Sequence, residues 1–483
     1  MQQPALPETG RQITYKADLS FRNKLNTDSE TLNFCYQCGA CTSVCPISKF
    51  ISIYKPSTIM QLAKLGIRDM PHSNAFLFCS ACELCTKGCP QGVKIHEVME
   101  SLKDAMAAAP DILKSIKFDT VLESLSESMP FPVTYSWICL RPTEKSALGT
   151  AVLDSFKRFL AQPMPDKINL APDAKKAAVI GSGPAGLTLA WALIRSGIQV
   201  TVYETLEQPG GMLRTGIPEY RLPKYILDDE IDRIKALGVD LKVATRVDKD
   251  LFEEVVQNTD YIFIASGAYA SRNLHVIGAD LEGVIPAIEL LQQYNTSGSA
   301  KVGKKVVVIG GGNVAMDAAG AALRSGAESV HLFCLEDRND MPAHPWEIRE
   351  MEDDGVSINP GWGPKVIQGD KNVMSVEFIK CKSVIDEDGN FNPVFDEKKT
   401  ITAEADTVVV AIGQSPNLDF LNKYIETFRS KVVTDSYTQK TSFPGVYAGG
   451  DAALGTASLI EAILAGKTAA KTIIQGNGGV SKA

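Results

Sequence analysis

From Ala177 onward, short apolar runs alternate with glycine turns and with stretches whose apolar residues recur at helical spacing, the pattern of parallel strands joined by helices. The run AAVI leads into Gly181-Ser-Gly183-Pro-Ala-Gly186, a helical segment ending at Arg195-Ser-Gly197, and a second apolar run, IQVTVYE. The same order recurs as KVVVI, Gly310-Gly-Gly312-Asn313-Val-Ala315, a helical segment ending at Arg324-Ser-Gly326, and ESVHLF. Two copies of one strand–turn–helix–strand unit predict two Rossmann-like domains, the second inserted in the first if the tail from about residue 406 returns to complete the first sheet. The N-terminal part is patterned differently. Residues 1–30 are polar and without period, which reads as an arm. Pro56-Ser57-Thr58 introduces IMQLAKLGI, with Ser57 or Thr58 as the expected N-cap, and 93–109 is again helical in pattern. The stretch to about residue 150, with Pro130, Pro132 and Pro142, is ambiguous, and a short helix is expected near Leu153–Leu160 before the linker AQPMPDKINLAPDAKK. The expected domains are therefore an arm at 1–30, a cysteine-rich domain at 31–110, a helical connector and linker at 111–175, a first dinucleotide domain at 176–295 and 406–483, and a second at 296–405.

The cysteines change this picture most. Eight of the eleven follow one ruler twice, Cys35-x2-Cys38-x2-Cys41-x3-Cys45-Pro46 and Cys79-x2-Cys82-x2-Cys85-x3-Cys89-Pro90. This is the spacing of thiolates around two [4Fe-4S] clusters, in which the fourth cysteine of each run serves the other cluster. By that rule Cys35, Cys38, Cys41 and Cys89 hold one cluster, and Cys79, Cys82, Cys85 and Cys45 the other. Structural zinc favours four ligands in one shell, usually two plus two, and disulfides call for an oxidising compartment. Neither matches the doubled ruler.

Each glycine of Gly181, Gly183 and Gly186 answers a separate need: a tight turn, backbone approach to a pyrophosphate, and close packing of helix on strand. The helix start behind them offers free N–H groups to an anion. Glu204 ends the next strand, where a carboxylate takes ribose hydroxyls. Gly310, Gly312, Asn313 and Ala315 repeat the turn, with Glu336 after its second strand.

The stretch GGMLRTGIPEYRLP, with Gly211, Met212 and Arg221, and the later GVYAGGD, with Gly450 and Asp451, resemble the flavin-contacting segments of the small subunit of glutamate synthase and its relatives, over roughly residues 150–475. The resemblance implies FAD at the first turn, with Asp451 at a second helix start near Gly455–Ala465, and a nicotinamide nucleotide at the second turn. A plain helix cap is the other reading of Asp451. Many members of that family carry a tyrosine and two arginines where this chain reads Phe333-Cys334-Leu335-Glu336-Asp337-Arg338. A carboxylate there suits free ribose hydroxyls and repels a 2′-phosphate, so NAD(H) is expected, unless Glu336 faces solvent and Arg338 takes the phosphate. CYQCGACTSVCP and FCSACELCTKGCPQGVKI resemble the two-cluster subunit of heterodisulfide reductases. The fold class that follows is α/β: two Rossmann-like FAD/NAD(P)-binding domains, one inserted in the other, preceded by a helical two-[4Fe-4S] ferredoxin-like domain. The function that follows is a flavin-dependent NAD(H) oxidoreductase subunit passing electrons among NADH, FAD and two [4Fe-4S] clusters, to or from an iron–sulfur redox partner protein or the subunits of a larger complex. An NADPH-dependent glutamate synthase small subunit and a relay subunit with a vestigial nicotinamide site are the alternatives.

Composition narrows the partners. The net charge of −8 comes without a basic patch, which disfavours nucleic acid. The N-terminus lacks the pattern of a secretory signal and no apolar run approaches the ~18 residues of a membrane span, so a cytoplasmic location is expected. Cys139, Cys334 and Cys381 are read as buried thiols. The five histidines show no metal-like grouping, and cofactor-borne hydride and electron transfer needs no acid–base triad.

Overall fold

The computed structural model describes residues 17, 22–23, 32–49, 51, 54–67, 73–107, 118–142, 147–421, 423 and 425–476, in two compact units that divide between Gln162 and Pro163. Apart from Ala17, Arg22 and Asn23, the expected arm at 1–30 lies outside the described residues, as does His72.

In the first unit each cysteine ruler opens as a loop and closes as a short helix, Ala40–Val44 in one and Leu84–Lys87 in the other. A Cβ placed on Gly88 would lie 3.1 Å from a Val44 methyl, so the two rulers press together there. Between them runs the helix Pro56–Leu65, capped by Lys55 rather than by Ser57 or Thr58. Proline has a fixed φ and no N–H to lose, which suits it to the first turn, and this moves the start upstream. Ser57 is then free to bind the first ruler: its N–H donates to Thr42 Oγ1 at 3.0 Å and the two hydroxyls meet at 2.8 Å. The helix Ile95–Ala107 lies within the expected 93–109. The ambiguous stretch forms Phe118–Ser128 and Pro132–Leu140, and the next helix is longer than expected, Ala147–Leu160. Pro132–Leu140 is buried on almost every side, and the Tyr135 hydroxyl donates to the Phe78 carbonyl at 2.6 Å, directly before Cys79.

Among its described residues the second unit contains seventeen strands: β1 (Lys176–Ile180), β2 (Gln199–Tyr203), β3 (Asp240–Lys242), β4 (Tyr261–Ile264), β5 (Ala270–Ser271), β6 (Val284–Pro286), β7 (Lys305–Ile309), β8 (Ser329–Cys334), β9 (Ser357–Pro360), β10 (Trp362–Gly369), β11 (Val373–Ile385), β12 (Phe391–Glu404), β13 (Thr407–Val410), β14 (Gln414–Ser415), β15 (Thr427–Phe428), β16 (Lys431–Val432) and β17 (Val446–Ala448). A parallel sheet in the order β17-β4-β1-β2-β3 forms the first lobe, and a second parallel sheet, β6-β13-β7-β8-β9, forms the other. Apart from the exposed lysines that open β1 and β7, the central strands of both are buried and apolar, as strands covered on both faces require. The antiparallel strands β10-β11-β12 form a third sheet. The short ladders β5/β14 and β15/β16 complete the strand pairing.

β17 pairs with β4, so the tail does return and the second domain is inserted in the first. The sheets cross the expected boundaries, however. β6 and β13 were expected in the first lobe at 176–295 and 406–483, and both pair in the second sheet. A strand's sheet is decided by its long-range partner, which local pattern does not contain. At the crossing, Asn295, on the helix Ala287–Ser297, donates to the Thr215 and Ile217 carbonyls at 2.9 and 3.1 Å and accepts from the Glu219 N–H at 3.0 Å.

Candidate redox-cofactor sites

The two rulers follow the same backbone path. Gln37 and Ala81, two residues after Cys35 and Cys79, both have left-handed φ, 58° and 53°. Gly39 and Glu83, the next pair, repeat this at 81° and 61°. Non-glycine residues pay roughly 1–2 kcal/mol in this region, so the repetition marks an imposed loop geometry. Cys45, Cys79 and Cys85 are buried and Cys82 half-buried, and these four thiols lie within electrostatic reach of one another. Burial pushes Cys82 up to about 11 and Cys85 higher still, and charge on neighbouring thiols adds to both shifts. Four such sulfurs are costly as anions unless a cationic group sits among them, which fits a cluster. Burial likewise raises Cys41, reinforced by Cys35 and Cys38; Cys38 is exposed, and Cys35 and Cys89 are half-buried. Among the described residues no three His, Cys, Asp or Glu side chains gather as closely as one bound ion would need. Cluster ligands are spread around several irons.

The two nucleotide turns are also built alike. A Cβ on Gly181, at φ 106°, would run into the Ala265 carbonyl, and one on Gly310, at φ 140°, into the Ala411 carbonyl. Only glycine fits either place. Gly183 and Gly312 cap the helices Pro184–Arg195 and Asn313–Arg324, and around each the Cβ position is open. Each forms a cradle at a helix N-terminus where a pyrophosphate fits. Gly186 lies against the Gly181 carbonyl, while Ala315 is fully buried in the second lobe's core.

Glu204 is buried, with Oε2 accepting from Ser182 N–H at 3.0 Å and Ser182 Oγ at 2.5 Å, and Oε1 accepting from Leu206 N–H at 2.9 Å. Ser182 Oγ in turn accepts from Gly210 N–H at 3.1 Å. A Cβ on Gly211 would come within 2.8 Å of Gly183 Cα, so the Gly210–Gly211 loop leans on the turn just before Met212 opens the helix Met212–Thr215. Ser182 was not singled out from the sequence because it occupies a variable position of the fingerprint. Ser266, beside Gly181, keeps a buried hydroxyl without a hydrogen-bond partner, a polar group available to a ligand. Gly450, at φ 62°, leans on Ala185 and caps the short helix Asp451–Leu454. Asp451 Oδ1 accepts from Ala457 N–H at 3.2 Å, and burial lifts its carboxyl to about 6. The helix expected from Gly455 begins later, spanning Leu459–Gln475 behind a Ser458–Glu461 capping box.

In the second lobe Glu336 follows β8 and its Oε2 would lie 3.1 Å from a Cβ on Gly311, which places the carboxylate over the phosphate turn. Arg338 Nη2 donates to Glu352 at 2.5 Å. Asn313 Oδ1 accepts from His344 N–H at 3.0 Å, and Ala343 N–H donates to the Gly311 carbonyl at 3.0 Å, closing the loop over the turn. Arg221, read from the resemblance as a flavin contact, reaches across to the second lobe: its Nε lies 2.6 Å from Asp317, its Nη1 2.7 Å from Glu347 and its Nη2 3.4 Å from Glu350. Three carboxylates from the second lobe surround the guanidinium as ion pairs, and of its nitrogens only Nη1, to Glu347, makes a hydrogen bond.

The sequence profile described as pyridine nucleotide-disulphide oxidoreductase matches residues 175–469, which hold both turns. The chain belongs to the pyridine nucleotide-disulphide oxidoreductase family. This oxidoreductase also carries a 4Fe-4S dicluster domain, matched at residues 34–94. It is 34% identical to the NADP(+)-dependent formate dehydrogenase subunit beta of Moorella thermoacetica over 81% of this chain and 59% of that one. It is 32% identical to the NADPH-Fe(3+) oxidoreductase subunit beta of Geobacter sulfurreducens over 80% of this chain and 63% of that one. The chain thus spans about three fifths of each of these relatives. A putative glutamate synthase [NADPH] small chain of Cereibacter sphaeroides is 31% identical over 68% of this chain and 85% of its own. Among solved structures, FprA from Mycobacterium tuberculosis shares the fold, with a TM-score of 0.54 at 18% identity over 62% of this chain and 85% of that one. No helix among the described residues is long and apolar enough to cross a membrane.

Proposed function

We propose that this flavin- and iron–sulfur-dependent oxidoreductase is the NAD(H)-linked subunit of a larger redox assembly. In this reading FAD occupies the first turn and NAD(H) the second. One [4Fe-4S] cluster rests on Cys35, Cys38, Cys41 and Cys89, the other on Cys79, Cys82, Cys85 and Cys45. The observation that carries the reading is the joining, in one chain, of a dicluster cysteine unit to two dinucleotide folds, one set within the other. A bound flavin supplies the exchange between two-electron hydride chemistry and single-electron transfer.

The protein's own contribution is placement. Gly183 and Gly312 open helix ends to the pyrophosphates. Glu204 holds the first turn through Ser182 and retains acceptor capacity for a ribose hydroxyl. Glu336 stands at the matching point of the second lobe, where it favours two free hydroxyls and opposes a phosphate, while Arg338 is engaged by Glu352. Relatives carry names that speak of NADP(+) or NADPH, and others a name that speaks of NAD, so the preference for NAD(H) rests on Glu336. Those names also describe subunits, which supports an iron–sulfur partner protein or partner subunits for this chain.

The test is anaerobic reduction of the iron- and FAD-loaded protein by NADH and by NADPH in parallel, followed by flavin and cluster absorbance. Rapid bleaching of both chromophores by NADH, with NADPH much slower, is expected. Faster reduction by NADPH overturns the nucleotide assignment, and bleaching of flavin alone overturns the path to the clusters.

A further inference from the structure

Behind the Cys79 loop lies a charge that the cofactor assignment does not use. Lys103, on the helix Ile95–Ala107, is 7% exposed. Its Nζ donates to the Cys79 carbonyl at 2.7 Å, the Cys139 carbonyl at 3.2 Å and Glu100 Oε1 at 2.9 Å. Glu100 also accepts from Arg141 Nη2 at 2.7 Å through its other oxygen, and although burial opposes ionisation, Lys103 and Arg141 together hold its carboxyl below the usual range. The group therefore comprises two cations and one carboxylate, with the more deeply buried cation against the backbone of the cysteine that Cys45, Cys82 and Cys85 surround. A buried lysine is almost always paired or put to use. Pairing alone does not account for this one, because Glu100 is shared with Arg141 and the shortest bond from Lys103 goes to the Cys79 carbonyl.

We infer that Lys103, with Glu100 as its counterweight, raises the reduction potential of the cluster held by Cys45, Cys79, Cys82 and Cys85. The inference rests on the cluster assignment proposed above. One-electron reduction adds one negative charge to a site already surrounded by thiolates, and no bond is made or broken. A fixed cation at close range in a medium of low dielectric stabilises the reduced form relative to the oxidised form. In turnover the electron comes from the nicotinamide by way of the flavin. Lys103 thus favours this cluster as an electron acceptor and Glu100 limits the effect.

The experiment is a redox titration of the full-length, iron- and FAD-loaded protein with dithionite and mediators, read by electron paramagnetic resonance, with iron content measured on each sample. Lys103→Met should make reduction of one cluster about tenfold less favourable, 59 mV lower for a one-electron couple, and leave the other cluster unmoved. Glu100→Gln should shift the same cluster in the opposite direction. Opposite shifts at wild-type iron content are what a purely structural role does not produce. The inference fails if both variants keep their iron and titrate as wild type, or if both shift the same way. If Lys103→Met loses iron, Glu100→Gln decides alone, and an unmoved or lowered potential overturns the idea. Cys45→Ser separates the two layers: retention of both unaltered cluster signals in that variant refutes the ligand assignment, whatever Lys103 does.

Discussion

A single carboxylate, Glu336, bears the proposed nucleotide preference, and it lies where Gly311 leaves room for it. Gly311 keeps Glu336 close to the phosphate turn because any larger residue there would meet both that carboxylate and Cys334. Replacing Leu335 and Glu336 together by arginine removes the repulsion and adds two donors suited to a phosphate. The ratio of kcat/KM for NADH to that for NADPH should fall by at least about tenfold, roughly 1.4 kcal/mol of transition-state discrimination. Steady-state rates with a one-electron dye measure it, and an unchanged ratio places the 2′-position elsewhere. At this scale the sequence was highly legible wherever a residue answers a backbone demand. Gly181 and Gly310 could be picked out because no side chain fits beside the carbonyls of Ala265 and Ala411. Arg221 was not legible in this way. A long side chain can reach several places, and its partners Asp317 and Glu347 come from far along the chain.

Short loops under local constraint distinguish the cysteine elements. Glu83 occupies in the second ruler the left-handed place that Gly39 fills in the first. Its side chain offers little in return: a 3.8 Å approach to Lys87 and another to His96. Such partly exposed pairs contribute about 0–1 kcal/mol. Glu83→Gly should therefore relieve more strain than it loses in contacts, by about 1 kcal/mol, and slow iron release. The rate at which a chelator strips the anaerobic holoprotein checks this, and faster release shows that the carboxylate matters more than the backbone. The doubled ruler announced these loops through spacing alone. One helix that supports them, Pro132–Leu140, was hidden, because it is buried on almost every side, Thr134 and Ser136 included, and so has little period to read. Its contact with the cysteine loop, through the Tyr135 hydroxyl and the Phe78 carbonyl, appears only in three dimensions.

Across the second unit, the two lobes are joined by a buried charge cluster whose balance depends on pH. Arg221, from the segment after the Gly211 loop of the first lobe, meets Asp317 and Glu347 on two helices of the second. Lys224, Glu350 and the Tyr220 ring, itself 4.0 Å below Arg324, complete the surroundings. One guanidinium cannot neutralise two buried carboxylates, so burial, reinforced by Glu350 at Asp317 and by Asp317 at Glu347, lifts Asp317 to about 6 and Glu347 to about 8, while the carboxylates keep Arg221 firmly charged. The two acids titrate as a unit. Through the span from the ordinary carboxylate range up to about 8, the folded chain holds more protons than the unfolded chain, so stability is greatest at the acid end and falls as pH rises. The slope is at most about 1.4 kcal/mol per pH unit for one proton. Above this window Lys224, pushed down to about 8 by burial, contributes with the opposite sign. Glu347→Gln keeps an acceptor for Arg221 but cannot ionise. Between pH 6 and pH 7.5 its denaturation midpoint, followed by FAD release, should change less than that of the wild type. Arg221→Met leaves the two acids without their cation and should cost about 3–5 kcal/mol, enough to free the flavin at lower denaturant at both pH values. A Glu347→Gln variant that tracks the wild type across that interval would locate the titrating proton outside the junction of the lobes, and an Arg221→Met variant as stable as the wild type would mean the lobes are held by their packing alone.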